Sequence, residues 1–263
     1  AAAANAQLQG DDVASFTAVT PTVRVSNRTQ ISRKTRIVSG TQERVNKAGR
    51  TSEVAYQYAL IGKELKRDME TVLIGTAQGG VTGNSTTAPT TASMLAWIKS
   101  NTSKGTSGAD PNWTSGTPSS ARTDGTARSF TETILKSVLQ LCYTSGAEPT
   151  VLMVGASTKG TVSGFSGIAT RYRDVNKLEQ AAIIGAADVY VGDFSTVNVV
   201  ANRFQRASDA WVLDPKMASV VYLRPFQKLD LSKTGDATKL CLIAEYGLKV
   251  NNEAAHGLCA DLG

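Results

Sequence analysis

His256, in the stretch Glu-Ala-Ala-His-Gly, is the only histidine of the chain, so any Ser-His-Asp or Cys-His chemistry would have to use it. No Gly-x-Ser-x-Gly elbow lies near it to present a nucleophile. A lone histidine of this kind is read as structural. Cys142, Cys241 and Cys259 are widely spaced inside apolar runs. An odd number of cysteines without metal-ligand spacing argues for buried thiols in a reducing compartment, not a disulfide scaffold or zinc site. Gly79-Gly-Val-Thr-Gly83 and Gly155-Ala-Ser-Thr-Lys-Gly160 match neither phosphate-binding glycine pattern and read as turns. Asp68 and Glu70 stand two apart on a helical stretch and would point different ways; Asp209 and Asp214 are the other carboxylate pair. The residue types thus point away from catalysis, with no cofactor and no metal expected.

The charge pattern says more. Net charge is +6, and between Arg24 and Arg50 eight basic residues are opposed only by Glu43. The rest of the chain carries 20 basic and 21 acidic groups, so the whole excess sits on one short segment. Such asymmetry marks a partner surface, either a polyanion or a carboxylate-rich protein. The segment lacks the interleaved aromatics of single-strand binders and the helical display of Arg and Asn that reads base edges. Contact between protein subunits fits it better, with unspecific phosphate contact as the other reading.

These residues need elements to position them. Thr51 to Gly75 reads as one long helix: Val54, Tyr58, Ile61, Leu65, Met69 and Val72 share a face, while Lys63, Glu64, Lys66, Arg67 and Glu70 fall mostly off it. Thr51 or Ser52 caps its start and Gly75 ends it in a left-handed turn. Before it, Thr22 to Val45 alternates in strand fashion, with turns at Arg33-Lys34 and Ser39-Gly40, and is expected to form a polar two-stranded ribbon. A hairpin this polar is marginal alone and needs another surface. Residues 1–20 read as a flexible arm, and the opening AAAANAQLQGDD lacks the basic and apolar regions of a secretory leader.

After the helix, Thr76 to Arg128 is rich in Ser, Thr and Gly, with one apolar helical island at 92–99; a stretch like this is expected to be a functional loop or to be covered. Ser129-Phe-Thr-Glu132 reads as a capping box for a helix ending at Gly146. A strand at 150–154, helices at 157–168 and 177–184, and a hairpin at 189–200 complete an α/β block. Strands follow at 218–223, 227–231 and 240–250. No run of about 18 apolar residues exists to span a membrane.

In this order, several stretches together resemble the major capsid proteins of tailed double-stranded DNA bacteriophages with the Hong Kong 97-like fold. They are Ser26-Asn-Arg-Thr-Gln-Ile31, Val38-Ser-Gly-Thr41, Ala48-Gly-Arg50 leading into Ala55-Tyr-Gln57, and Gly62-Lys-Glu-Leu-Lys-Arg-Asp-Met-Glu70. Leu95-Ala-Trp-Ile98, Val212-Leu-Asp-Pro215, and Lys233-Thr-Gly-Asp236 followed by Glu245, Leu248-Lys-Val250 and Asn252-Glu-Ala-Ala-His-Gly257 complete the set. The resemblance covers most of the chain from about Val23. Related chains have a longer segment before the hairpin, where this sequence has only its alanine-rich start.

The resemblance implies an α+β fold: an N-terminal arm (1–21), an extended β-hairpin loop (22–50), a peripheral domain (51–129) with a spine helix (51–75), an axial domain (130–213), and a return to the peripheral domain (214–263). It implies a self-assembling shell subunit forming hexamers and pentamers around double-stranded DNA, with scaffolding, portal and decoration proteins as further partners and no membrane. Arg24, Arg28, Arg33, Lys34, Arg36, Arg44, Lys47 and Arg50, with Lys63, Glu64, Arg67 and Glu70 on the helix, are the expected inter-subunit contacts. An encapsulin-like compartment holding enzymes is the alternative on the same fold. An adhesin or a hydrolase using His256 is the alternative outside it.

Overall fold

The computed structural model describes residues 6, 9–10, 12, 16–19, 21–165 and 188–263. The expected helix at 177–184, the end of the one at 157–168 and most of the expected arm lie outside those residues.

Strand β1 (Gln30–Ser39) opens the described fold and runs into a short helix, α1 (Gly40–Arg44), capped by the Ser39 hydroxyl. The long helix α2 spans Glu53–Glu70, with Ser52 as its cap, and continues as one π-helical turn over Thr71–Gly75. Its buried face is Ile61, Leu65 and Met69, then Leu73; Val72, expected on that face, is only half-buried. The expected left-handed end at Gly75 is a correction, because Gly75 keeps a negative φ. A glycine is needed there for space, since a Cβ would stand 2.3 Å from the Phe204 carbonyl.

The chain then forms α3 (Met94–Trp97), β2 (Thr102–Ser103), and the small hairpin β3 (Trp113–Thr114) and β4 (Thr117–Pro118). Residues 91–98 are all buried, so the polar excursion is laid over the core and not left loose. Helix α4 (Glu132–Thr144) takes Thr131 as its cap, not Ser129 as expected; it closes at Gly146, whose φ of 80° needs a residue without Cβ. Strand β5 (Val151–Val154), α5 (Ala156–Ser163), the hairpin β6 (Val189–Val191) and β7 (Thr196–Ala201), and β8 (Ala210–Leu213) follow. Last come β9 (Ala218–Lys228), β10 (Ala237–Val250) and β11 (Gly257–Cys259).

Two larger sheets organise these strands. One has the order β1-β10-β9, all antiparallel neighbours. The other has the order β2-β11-β8-β5-β7-β6 and mixes parallel and antiparallel pairs. In the six-stranded sheet, side chains alternate between two cores. Leu152, Val212 and Cys259 face α4 with Leu135, Val138 and Leu139; Trp211 and Leu258 face the other way, toward Trp97, Met69 and Tyr246. A smaller cluster joins Val38, Ile61 and Leu240 where β1 and β10 cross α2.

Two further expectations change. The ribbon at 22–50 is not a self-paired hairpin: Arg33 and Lys34 lie mid-strand, and every residue of β1 from Gln30 to Ser39 pairs with β10, from Tyr246 back to Ala237. The reason is that β10 is long, apolar on alternate residues, and flanked by β9 on one side only. Its free edge accepts β1, whose charged residues suit an outer strand. The strands expected at 218–223 and 227–231 are one, β9, passing through Pro225 at the sheet edge, where a missing N–H costs no ladder bond. After Asp214 the chain serves both sheets, because β11 lies in the six-stranded sheet between β2 and β8.

Candidate assembly surfaces

The basic segment splits in two once folded. On β1, alternation turns Ser32, Lys34, Arg36 and Val38 toward α2. Lys34 pairs with Asp68 at 2.8 Å, and Arg36 pairs with Glu64. Arg50 reaches Glu53 at 3.1 Å and stacks over the Tyr56 ring, while Lys47 donates to the Glu43 carbonyl. For Lys34, Arg36 and Arg50 the carboxylates expected on a partner surface are therefore met on the chain's own α2, and Lys47 is held by α1. Arg24, Arg28, Arg33 and Arg44 are exposed, with no carboxylate in salt-bridge range among the described residues. Lys63 and Arg67 on α2 are in the same condition, and Glu70 instead accepts from Asn202 at 2.7 Å.

Glu43, the single acid of the basic segment, has a role that its sequence position did not suggest. One oxygen accepts from the Glu53 and Val54 amides and the other from the Ser52 hydroxyl, so α1 closes the first turn of α2. The Ser52 hydrogen bond, then the Val54 amide, hold this carboxyl below its ordinary range. The sequence signal was available: an acid ten residues before a helix start, in a segment otherwise all basic.

The second overlooked feature is apolar. Val220, Val221 and Tyr222 on the outer strand β9 are between 42% and 45% exposed and Leu223 is 67% exposed. On the opposite edge, Ile31 and Ile37 point away from α2 and are exposed, Ile37 at 67%. Four consecutive apolar residues read as a buried strand; Pro225 just beyond them was the sign of an edge.

The residues considered for chemistry are spread through the interior. His256 is fully buried; its Nδ1 accepts from the Asp214 amide at 3.2 Å, and burial pushes its pKa down. Asp68 and Glu70 diverge to Lys34 and Asn202. The three cysteines are buried and unbridged, and burial pushes the Cys142 thiol up to about 12. Among the described residues, no group of His, Cys, Asp or Glu is arranged to hold a metal ion, and no helix is long and apolar enough to cross a membrane.

This fold, a long helix crossing a three-stranded sheet joined to a mixed six-stranded sheet, is similar to those of solved phage capsid chains. The solved capsid of cyanophage A-1(L) superposes with a TM-score of 0.63 at 12% identity, over 89% of this chain and 77% of that one. The procapsid of satellite phage P4, which includes the size determination protein, matches with a TM-score of 0.53 at 10% identity, over 99% and 80%. The SrpI encapsulin of Synechococcus elongatus PCC 7942 shares the fold with a TM-score of 0.51 at 10% identity, over 89% and 74%. No curated protein matches the sequence. The family of SU10 major capsid proteins matches residues 1–263, and the chain belongs to that family. It is a structural protein of a tailed-phage shell, and the encapsulin likeness is one of fold.

Proposed function

We propose that the chain is the repeating subunit of an icosahedral shell, arranged in hexamers and pentamers around double-stranded DNA, and that it acts by association without a catalytic step. In this reading α2 is the spine of a peripheral domain covering 51–129 and 214–263, residues 130–213 form the axial domain, and 22–50 lies against the next subunit. Arg24, Arg28, Arg33, Arg44, Lys63 and Arg67, which lack partners among the described residues, make the electrostatic contacts between copies or with packaged DNA. Scaffolding, portal and decoration proteins complete assembly in the host cytoplasm.

The observation that carries this reading is β9. An eleven-residue outer strand with four adjacent exposed apolar side chains is a liability in a lone molecule and an asset in a subunit that is covered by its neighbours. Leu223→Glu places a charge on that surface without touching a core cluster. The expected result is loss of closed particles in negative-stain micrographs, with the thermal melt of the unassembled chain unchanged. Normal shells from this variant would remove β9 from the interface.

A further inference from the structure

Away from these surfaces, five charged side chains converge where the polar excursion meets the six-stranded sheet. Arg122 is buried and binds Asp261 through two contacts, Nη1 to Oδ1 at 3.0 Å and Nη2 to Oδ2 at 2.8 Å. Asp261 also accepts from the Gly105 and Gly125 amides, at 2.8 and 2.9 Å. Arg122 reaches Asp124 at 2.8 Å, Asp124 pairs with Arg206, and the Arg206 Nε lies 3.3 Å from Asp209. The cluster thus draws Arg122 and Asp124 from the excursion, Arg206 and Asp209 from the loop before β8, and Asp261 from the last residues of the chain.

Its charges do not balance: two guanidinium groups face three carboxylates. The three acids are not equivalent. Asp261 has four donors and Asp124 is half-exposed to water. Asp209 has no exposed surface, and neither of its carboxylate oxygens accepts a hydrogen bond. A fully buried ionised carboxylate with no directed hydrogen bond, and Arg206 Nε at 3.3 Å as its close cation, is the costliest species in such a group, and adding one proton to it removes the excess charge.

We propose that Asp209 is a protonation switch that sets how tightly the excursion around 105–128 is held on the six-stranded sheet. Near neutral pH the cluster carries one surplus negative charge and the junction is strained. In mildly acidic solution Asp209 takes up a proton, the cluster becomes neutral, and the junction tightens. Burial pushes the Asp209 carboxyl up to about 6, against the opposing pull of Arg206 and then Arg122, with Asp124 and Asp261 pushing the same way as burial. Because the folded pKa lies above the ordinary 3.8, the stabilisation is fully present below pH 3.8 and is lost as pH rises through about 6. His256 works in the opposite sense over part of this range, since burial lowers its pKa and its neutral form is lost in unfolding. A wild-type pH profile alone therefore does not isolate Asp209.

The test is hydrogen–deuterium exchange of the full chain at pH 5 and pH 7.5, corrected for intrinsic exchange, in the wild type, Asp209→Asn and Asp124→Asn. In the wild type, protection of backbone amides in 105–128 is expected to fall several-fold more between pH 5 and 7.5 than protection in α4. In Asp209→Asn the difference between the two regions should no longer depend on pH. Asp124→Asn removes one repelling charge, so its transition should move to lower pH. Should Asp209→Asn fail to fold, the Asp124→Asn shift decides. An Asp209→Asn profile matching the wild type, or an unmoved transition in Asp124→Asn, overturns the proposal.

Discussion

The six-stranded sheet turns Val212 and Cys259 into one core and Trp211 and Leu258 into another, so the chain itself closes both faces of its central strands, leaving Val189, Val191 and Val200 exposed at the β7-β6 end. The three-stranded sheet closes one. Leu240, Ala244 and Tyr246 are buried toward α2, while Ile31, Ile37 and Leu223 remain in solvent, and its ionic contacts with α2 lie at the surface. The same polypeptide thus contains a region whose contacts the chain largely completes itself and a region it leaves open, which in the proposed reading meets another copy. Stability should reside in the first and association in the second, and substitutions can separate them.

The largest effect on stability is expected at Arg122, in the closed region. Replacing it by Ala leaves Asp261 as a buried carboxylate whose charged partner is gone. Burial alone would raise that carboxyl; the Arg122 bonds, with the Gly125 and Gly105 amides, instead hold it down at about 2. Breaking a buried pair by removing one side costs about 3–5 kcal/mol. Urea unfolding of Arg122→Ala at pH 7 should show a loss of that order. The loss should shrink as pH falls below about 4, where the stranded carboxylate can accept a proton. A loss below about 1 kcal/mol would mean that this junction carries far less of the fold than its burial implies.

Gly257 offers a smaller and sharper measure of closure. A Cβ there would stand 2.4 Å from the Val138 side chain and 2.9 Å from the Cys142 sulfur, because β11 is pressed against α4. Gly257→Ala forces one of them to shift, which in a packed core costs about 1–3 kcal/mol. The expected outcome is a lowered thermal midpoint with shell formation kept at reduced temperature. An unchanged midpoint would show that α4 and β11 have slack.

What was readable in the sequence divides along the same line. The long helix, α4, the 189–200 hairpin and the buried cysteines follow from periodicity, because the contacts that fix them lie near in sequence or bury an evident apolar face. The pairing of β1 with β10 joins residues some two hundred positions apart and leaves no local mark. A polar strand beside Ser39-Gly40 therefore reads as a hairpin. The same holds for the cluster of Arg122, Arg206 and Asp261, whereas Glu43 on the start of α2 did leave a mark, as the one acid in a basic segment. Fold and function were legible mainly through the ordered set of stretches shared with the capsid family. The surface that the basic ribbon was expected to need is supplied, for β1, by β10 of the same chain. Of the twelve charged residues expected at interfaces, Lys34, Arg36, Lys47, Arg50, Glu64 and Glu70 have partners within the chain.

That correction leads to the smallest effect. Lys34 and Asp68 form a pair at 2.8 Å with both side chains at least one-third exposed, so solvent and salt screen it. An exposed pair of this kind contributes about 0.2–1 kcal/mol. A double-mutant cycle with Lys34→Ala and Asp68→Ala should return a coupling energy in that range at low salt, fading toward zero at about 1 M salt, where the screening length is near 3 Å. The informative comparison is with assembly. If the pair only holds β1 on α2, the two variants should form shells as the wild type does. If either one blocks shell formation while costing the monomer almost nothing, that charge is shared with a neighbouring copy, and the open region begins at the first charged row of β1 and not at its outer face.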